Sequence, residues 1–307
     1  MPIRHATLHQ FRIFDAVARN MSFARAAEEL HLTPPALSIQ VKQLAEASGV
    51  TLIEQIGKKI HLTPAGRIMA EACRDMDARL ERLAQDLSAL QGLEKGTIKL
   101  AILTTAEYFA VRMLGEFCAQ HPGIEASMFV GNRETLLERM TQNLDDLYIF
   151  GQPPANLNIV AESFAYNPLV VVARSDHPLA GEKNIPPSRL NGVAFILREP
   201  GSGIRLAMEN YLTKNKVHIK TRMEVGSNEA IKQAVKGELG LAVLSLASVA
   251  AEIERGELTT LDVQGFPLMR SWHVAYPAGK ALSHAAKEFR TMLFDSAIAN
   301  CGLTPTK

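Results

Sequence analysis

The sequence predicts an α plus α/β protein: an N-terminal winged helix-turn-helix, a long helix, and a C-terminal body of two α/β subdomains. Three observations predict it. Short helices followed by two short strands open the chain, a strict heptad seam follows, and beyond residue 96 short apolar strands alternate with helices. Hydrophobic residues make up 47% and charged residues 21%, which excludes wholesale disorder. A chain of 307 residues exceeds one ordinary domain, so several units are expected.

In the first segment Leu8, Phe11, Phe14 and Val17 recur every third residue and read as the apolar stripe of a helix. Ser22 can cap a second helix carrying Phe23, Ala26, Ala27 and Leu30. Thr33 followed by Pro34 reads as a capping hydroxyl and a proline at the first helical position, opening a third helix that runs to about Ala47. Two short helices joined by a tight connection make a helix-turn-helix. On the third helix Leu37, Val41 and Leu44 share a buried face, and Pro35, Ser38, Ile39, Lys42, Gln43 and Glu46 lie opposite. There Ser38 and Gln43 can bond to bases or phosphates and Lys42 can neutralise a phosphate. Ile39 either touches a thymine methyl or packs on a neighbouring helix. Strand-like residues 51–55 and 60–62 flank Gly57-Lys58-Lys59, a wing whose Lys58 and Lys59 either reach the DNA backbone or are simply solvated. Ser22, Arg25 and Thr33 complete the expected DNA-facing set. Up to Gly66, seven basic residues against five acidic ones leave +2, while the whole chain carries only +1. That asymmetry has the sign a nucleic-acid reader needs, and it is small.

Thr63-Pro64 repeats the start signal. In the helix that follows, Met69, Cys73, Met76, Leu80, Leu83, Leu87 and Leu90 are spaced alternately by four and three residues. Charged residues fill the intervening positions. A narrow two-in-seven stripe predicts pairing with a second copy of the same helix, which spans roughly 40 Å at ~1.5 Å per residue.

Strand signals in the body are 98–103, 124–130, 147–150, 169–173, 193–196, 223–225, 241–244 and 272–276. Helical stretches such as 108–120, 134–143, 204–214 and 229–236 lie between them. This alternation predicts largely parallel sheets. Boundaries are expected at 1–66, 64–92 and 93–307, with subdomain I near 93–165 and 268–300 and subdomain II near 166–267.

Several classes are excluded. The chain carries no GxSxG, HExxH, paired CxxC or Walker loop, so no enzyme is expected. No run of eighteen apolar residues exists and the start lacks the apolar core of a signal peptide, so a cytoplasmic protein that makes no membrane contact is expected. Cys73, Cys118 and Cys301 are odd in number and widely separated, which predicts free thiols, no disulfide and no metal.

AVARNMSFARAAEELHLTPPALSIQVKQLAEASGVTLIEQIGKKIHLTPAG resembles the winged helix-turn-helix of LysR-type transcriptional regulators, over residues 8–66. The heptad helix, the body and the length resemble that family as well. Three positions depart from its pattern. Pro34 stands where a polar residue is usual, Leu52-Ile53-Glu54-Gln55 replaces Leu-Phe-Glu-Arg, and Leu44-Ala45 replaces Leu-Glu. Pro34 cannot donate a hydrogen bond, so Ser38, Ile39 and Gln43 are expected to carry more of the readout. TTAEYFAVRMLGEFCAQHPGIEASMFVGNRETLLERM and DDLYIFGQPP resemble the CbbR-like subgroup, which activates RuBisCO-operon, carbon-fixation and bicarbonate-uptake genes. The carrying features are Tyr108-Phe109, Val130-Gly131-Asn132-Arg133 and Gly151-Gln152-Pro153-Pro154.

The resemblance implies a periplasmic-binding-protein-like body crossed by the chain near 164–167 and 265–269. It also implies a tetramer built as a pair of dimers on promoter DNA, with RNA polymerase as partner. In such a cleft the candidates are Thr104 and Thr105 at a helix start, Asn132 and Arg133, Gln152, the loop residues Ser202, Gly203 and Arg205, and Asn228. The threonines and Asn228 are alternatively plain helix caps. The subgroup implies a metabolite effector, a sugar phosphate, phosphoenolpyruvate or NADPH, and no bound cofactor. A regulator of aromatic or amino-acid metabolism, or a ligand-binding protein that does not touch DNA, are the alternatives.

Overall fold

Residues 2–57, 59–90, 95–154 and 157–300 are described in a computed structural model. They group into two units, Met1–Leu87 with Gln142–Leu144, and Ser88–Thr141 with Asp145–Lys307. Lys58 and the expected boundary at 92–93 lie outside the described residues, as do Cys301 and the side chain of Leu90.

The first unit contains α1 (Leu8–Asn20), α2 (Phe23–Leu30), α3 (Pro34–Ser48), the hairpin β1 (Ile53–Ile56) and β2 (Lys59–Leu62), and α4 (Pro64–Leu90) up to Leu87. Thr7 and Gln10 form a capping box at the start of α1. Ser22 caps α2 by accepting from the Arg25 N–H. Thr33 occupies the cap position of α3, but its hydroxyl makes no capping bond. Pro34 and Pro35 remove the N–H groups of the first two helical positions, which leaves Ala36 as the one donor in reach of a cap, and the hydroxyl does not take it.

The apolar stripe of α1 also differs from the every-third reading. Ile13, Phe14 and Val17 are buried, whereas Leu8 is exposed. At about 100° per residue a three-residue step drifts by about 60°, so Leu8 ends up opposite Val17. These residues meet Ala26, Leu37, Val41, Leu44, Leu52, Met69 and Cys73 in one core. Met69 and Cys73, the first two positions of the heptad seam, therefore pack inside their own unit. Met76 and Leu80 are half-buried, and Leu83 and Leu87 are 53% and 52% exposed.

Thr63 ties the wing to α4. Its hydroxyl donates to the Thr51 carbonyl at 2.6 Å and accepts from the Gly66 N–H at 2.9 Å. A Cβ on Gly66 would stand 2.0 Å from the Leu52 carbonyl oxygen, so only glycine permits this approach.

The second unit runs β3 (Gly96–Leu103), α5 (Glu107–Gln120), β4 (Ile124–Gly131), α6 (Arg133–Thr141), β5 (Leu147–Phe150), β6 (Ile159–Tyr166), β7 (Leu169–Arg174), β8 (Ala194–Arg198), α7 (Gly203–Asn215), β9 (Lys220–Val225), α8 (Asn228–Lys236), β10 (Leu241–Ser245), α9 (Leu246–Glu254), β11 (Leu258–Leu261), β12 (Ser271–Pro277) and α10 (His284–Asn300). Two five-stranded sheets result, ordered β4-β3-β5-β12-β6 and β11-β7-β10-β8-β9. They divide the unit into a first and a second subdomain. The chain leaves the first at Asn167-Pro168 and returns between β11 and β12.

The sheets are mixed rather than largely parallel. β3 pairs in parallel with β4 and β5, and β8 with β9 and β10, while β7 and β12 make only antiparallel pairings. β7 and β12 are the strands that follow the two crossings. A chain entering a sheet from the other subdomain arrives at its far end, so it runs against the strands already there. Among the described residues no helix is long and apolar enough to cross a membrane.

Candidate functional site

The outward face of α3 is the first candidate surface. Pro35, Ser38, Ile39, Lys42, Gln43 and Glu46 are all exposed. Ile39 is 55% exposed, so it does not pack on a neighbouring helix within the chain. A β-branched side chain left open beside polar residues suits contact with a thymine methyl. Lys42 lies 3.9 Å from Glu46, an open pair that leaves its ammonium accessible. The Gln43 side-chain oxygen accepts from Gln10 at 3.1 Å, which aims its amide group. Arg25, Thr33 and Lys59 are exposed, and the Ser22 hydroxyl is committed to its cap.

The second candidate lies at the carboxyl ends of the parallel strands of both subdomains, where α/β folds bind ligands. A cavity of about 120 Å³ is lined by Thr104, Thr105, Asn132, Arg133, Gln152, Ser202 and Gly203, all expected from sequence. Arg198, Arg270, Asn167 and Leu206 also line it and were not expected. Arg205 and Asn228 are not among the lining residues.

Local structure explains these placements. Thr104 and Thr105 do not open a helix: α5 starts at Glu107, after a turn in which the Ala106 N–H bonds the Leu103 carbonyl. The turn buries Thr105 and leaves the Thr104 hydroxyl to accept from Arg198 at 3.2 Å. Asn132 caps α6, its side-chain oxygen taking the Thr135 N–H at 3.0 Å. Ser202 stands before α7, buried, its hydroxyl making no capping bond.

The electrostatics set two walls apart. In the first subdomain Arg133 bonds the Gln152 carbonyl and Arg270 bonds the Gln152 side-chain oxygen. Neither guanidinium has a carboxylate within ion-pair distance among the described residues. Burial disfavours the charge on both, and the positive charge of Arg133 adds to this at Arg270. In the second subdomain Arg198 is 4% exposed and already paired with Glu199 at 2.7 Å. It donates also to Asn228 at 2.7 Å. Arg205 is spent outside the cavity on Glu209 at 2.8 Å and Glu224 at 3.0 Å. The uncompensated charge in the cavity therefore comes from Arg133 and Arg270.

A helix face open to a DNA groove and a cationic cleft between two subdomains define a ligand-responsive DNA-binding regulator. Residues 8–67 match the bacterial regulatory helix-turn-helix protein model of the lysR family, and residues 91–297 match the LysR substrate binding domain. The chain belongs to the LysR family of transcriptional regulators, in its CbbR-like subgroup, and is not an enzyme. The RuBisCO operon transcriptional regulator of Acidithiobacillus ferrooxidans is 63% identical over 294 residues, 96% of this chain and 95% of that protein. The HTH-type transcriptional activator CmpR of Synechocystis sp. is 50% identical over 292 residues, 95% of this chain and 96% of that protein. The regulatory domain of Synechocystis CcmR in complex with 2-PG superposes with a TM-score of 0.65 at 48% identity. That comparison covers 67% of this chain and 99% of that one.

Arg198 and Arg270 escaped sequence reasoning for different reasons. Arg198 ends an apolar strand, where its guanidinium has no motif around it. Arg270 sits in the returning crossing, far in sequence from the Gln152 it bonds. The run Ile196-Leu197-Arg198 was the one available signal: an arginine that continues a buried strand needs a buried partner.

Proposed function

We propose that the protein regulates carbon-fixation genes, most directly those of a RuBisCO operon, by binding their promoter DNA under the control of a compact phosphorylated anion held in the cleft. The face of α3 reads half-sites. The part of α4 that carries the exposed Leu83 and Leu87 pairs subunits, and two such dimers form a tetramer that presents several readers to one promoter in the cytoplasm. Effector binding changes the spacing of those readers and so the access of RNA polymerase.

One observation carries the effector class: Arg133 and Arg270 face the cavity without a carboxylate, which leaves about two positive charges to be met by a dianion. Size narrows it further. A cavity of about 120 Å³ is well below the roughly 300–1,000 Å³ that encloses a drug-sized ligand, so a phosphate ester of few carbons fits better than NADPH. The ligand of the Synechocystis regulatory domain, 2-PG, is the natural probe.

Arg270→Gln keeps a hydrogen-bonding side chain and removes one charge. Titration calorimetry on the full chain with 2-PG, phosphoenolpyruvate, a pentose phosphate and NADPH is expected to give saturable binding for a small phosphorylated anion. Arg270→Gln is expected to weaken that binding about tenfold or more. Tight binding of NADPH alone, or an unaffected variant, would remove the basis for the assignment.

A further inference from the structure

Outside the cavity lining, charged and aromatic side chains meet across the boundary between the two subdomains. Tyr108 stands on the first turn of α5, in the first subdomain. Its hydroxyl donates to the Glu229 carboxylate at 2.9 Å, on the first turn of α8 in the second. Lys232, one turn further along α8, reaches Glu229 at 2.6 Å and Glu252 of α9 at 3.0 Å. The Lys232 side chain is 4% exposed, and its ammonium lies 5.2 Å from the centre of the Tyr108 ring. A buried ammonium is stable only while partnered, so Lys232 holds Glu229 and Glu252 in fixed places and presents Glu229 to Tyr108.

This cluster joins the cleft through one peptide unit. Asn228, next to Glu229, accepts from Arg198, and Arg198 donates across the cleft to Thr104. α8 is therefore tied to the first subdomain twice, directly by Glu229 to Tyr108, and through Asn228 and Arg198 to Thr104. An anion in the cleft draws on the donors of Arg198 and competes with the second tie. The first tie is untouched, because neither Tyr108 nor Glu229 lines the cavity.

We propose that Tyr108, Glu229 and Lys232 form a latch that holds the two subdomains together while Arg198 turns to the effector. They are positioning residues: none touches the ligand, and they act by fixing the wall that carries Arg198 and Asn228. The latch gives a physical role to the tyrosine of the Tyr-Phe pair singled out in the sequence. It rests on the effector reading above only for the choice of anion.

The test separates the hydroxyl from the ring. Tyr108→Phe keeps the ring over Lys232 and loses only the bond to Glu229. Glu229→Gln keeps an acceptor for that hydroxyl but removes a charge paired with Lys232, which then keeps Glu252 alone, so it tests the ammonium's part in the latch. Hydrogen exchange of the full chain without ligand is followed at the first turns of α5 and α8, and 2-PG affinity is then measured by calorimetry. Tyr108→Phe is expected to exchange faster at both turns, to keep its melting temperature within about 2 °C, and to bind 2-PG about fivefold more weakly. Glu229→Gln is expected to exchange faster at the first turn of α8, and exchange there as in wild type overturns the part given to the Lys232–Glu229 pair. Wild-type exchange in Tyr108→Phe overturns the latch, and so does a general loss of thermal stability in place of the local change. Should the wild type bind none of the small phosphorylated anions, the effector reading fails, while the ligand-free exchange still decides the latch.

Discussion

Lys42 is the residue at which the DNA-reading proposal is most exposed to test. It sits on the outward face of α3, with only a 3.9 Å contact to Glu46 competing for its charge. A lysine that neutralises one phosphate releases about one counterion. Lys42→Ala is therefore expected to weaken binding to every DNA sequence alike and to reduce the slope of log affinity against log salt by about one. A filter-binding or anisotropy series over several salt concentrations measures it, and an unchanged slope removes Lys42 from the contact set. At this scale the exposed face of α3 was legible, because a helix with Leu37, Val41 and Leu44 inside leaves only one face for Ser38, Ile39 and Lys42. The cleft was half legible. Residues after strand ends, such as Thr104, Asn132 and Gln152, follow from the order of elements. Arg198, Arg270 and the diversion of Arg205 to Glu209 and Glu224 depend on contacts between residues distant in sequence, which no local pattern encodes.

Among the elements, α4 departs most instructively from its sequence pattern. Its seven-residue repeat is continuous in sequence, yet of the described seam residues only Met69 and Cys73 are buried within the chain. Met69 and Cys73 pack against α1 and α3 residues in the first core, and burial pushes the Cys73 thiol up to about 12, so it stays protonated and unreactive at neutral pH. Leu83 and Leu87 lie past that core, exposed, where burial of each against a partner contributes roughly 1.5–3 kcal/mol. A periodic pattern reports which face is covered but not by what. Leu83→Asp places a charge in the middle of the exposed part and is expected to dissociate the dimer at micromolar concentration, with helicity retained. Sedimentation velocity reads the mass, and an unchanged mass would mean that subunits pair through another surface. The edge strands β6 and β11 escaped the sequence reading, whereas β4 and β9, also at edges and also without a run of buried residues, did not. The inner strand β5, buried at every position, was the easy one.

For the whole molecule the net charge of +1 sets the terms of DNA binding. A reader of about +2 gains little from electrostatic attraction alone, since non-specific affinity scales with the number of phosphates neutralised. In the proposed tetramer, pairing through α4 supplies what charge does not. Once one reader is seated, the next binds within the same complex at an effective concentration of about millimolar, which multiplies affinity by roughly 10²–10⁴ without a new contact. Binding to a promoter fragment with both half-sites is thus expected to exceed binding to the same fragment with one half-site scrambled by about a hundredfold or more, at near-physiological salt. The ratio should collapse towards one in Leu83→Asp, because readers that are no longer joined gain nothing from a second site. It should persist in Arg270→Gln, which alters only the response to ligand. A wild-type ratio near one would show instead that a single winged helix carries the affinity, and the exposed Leu83 and Leu87 of α4 would then need another explanation than pairing.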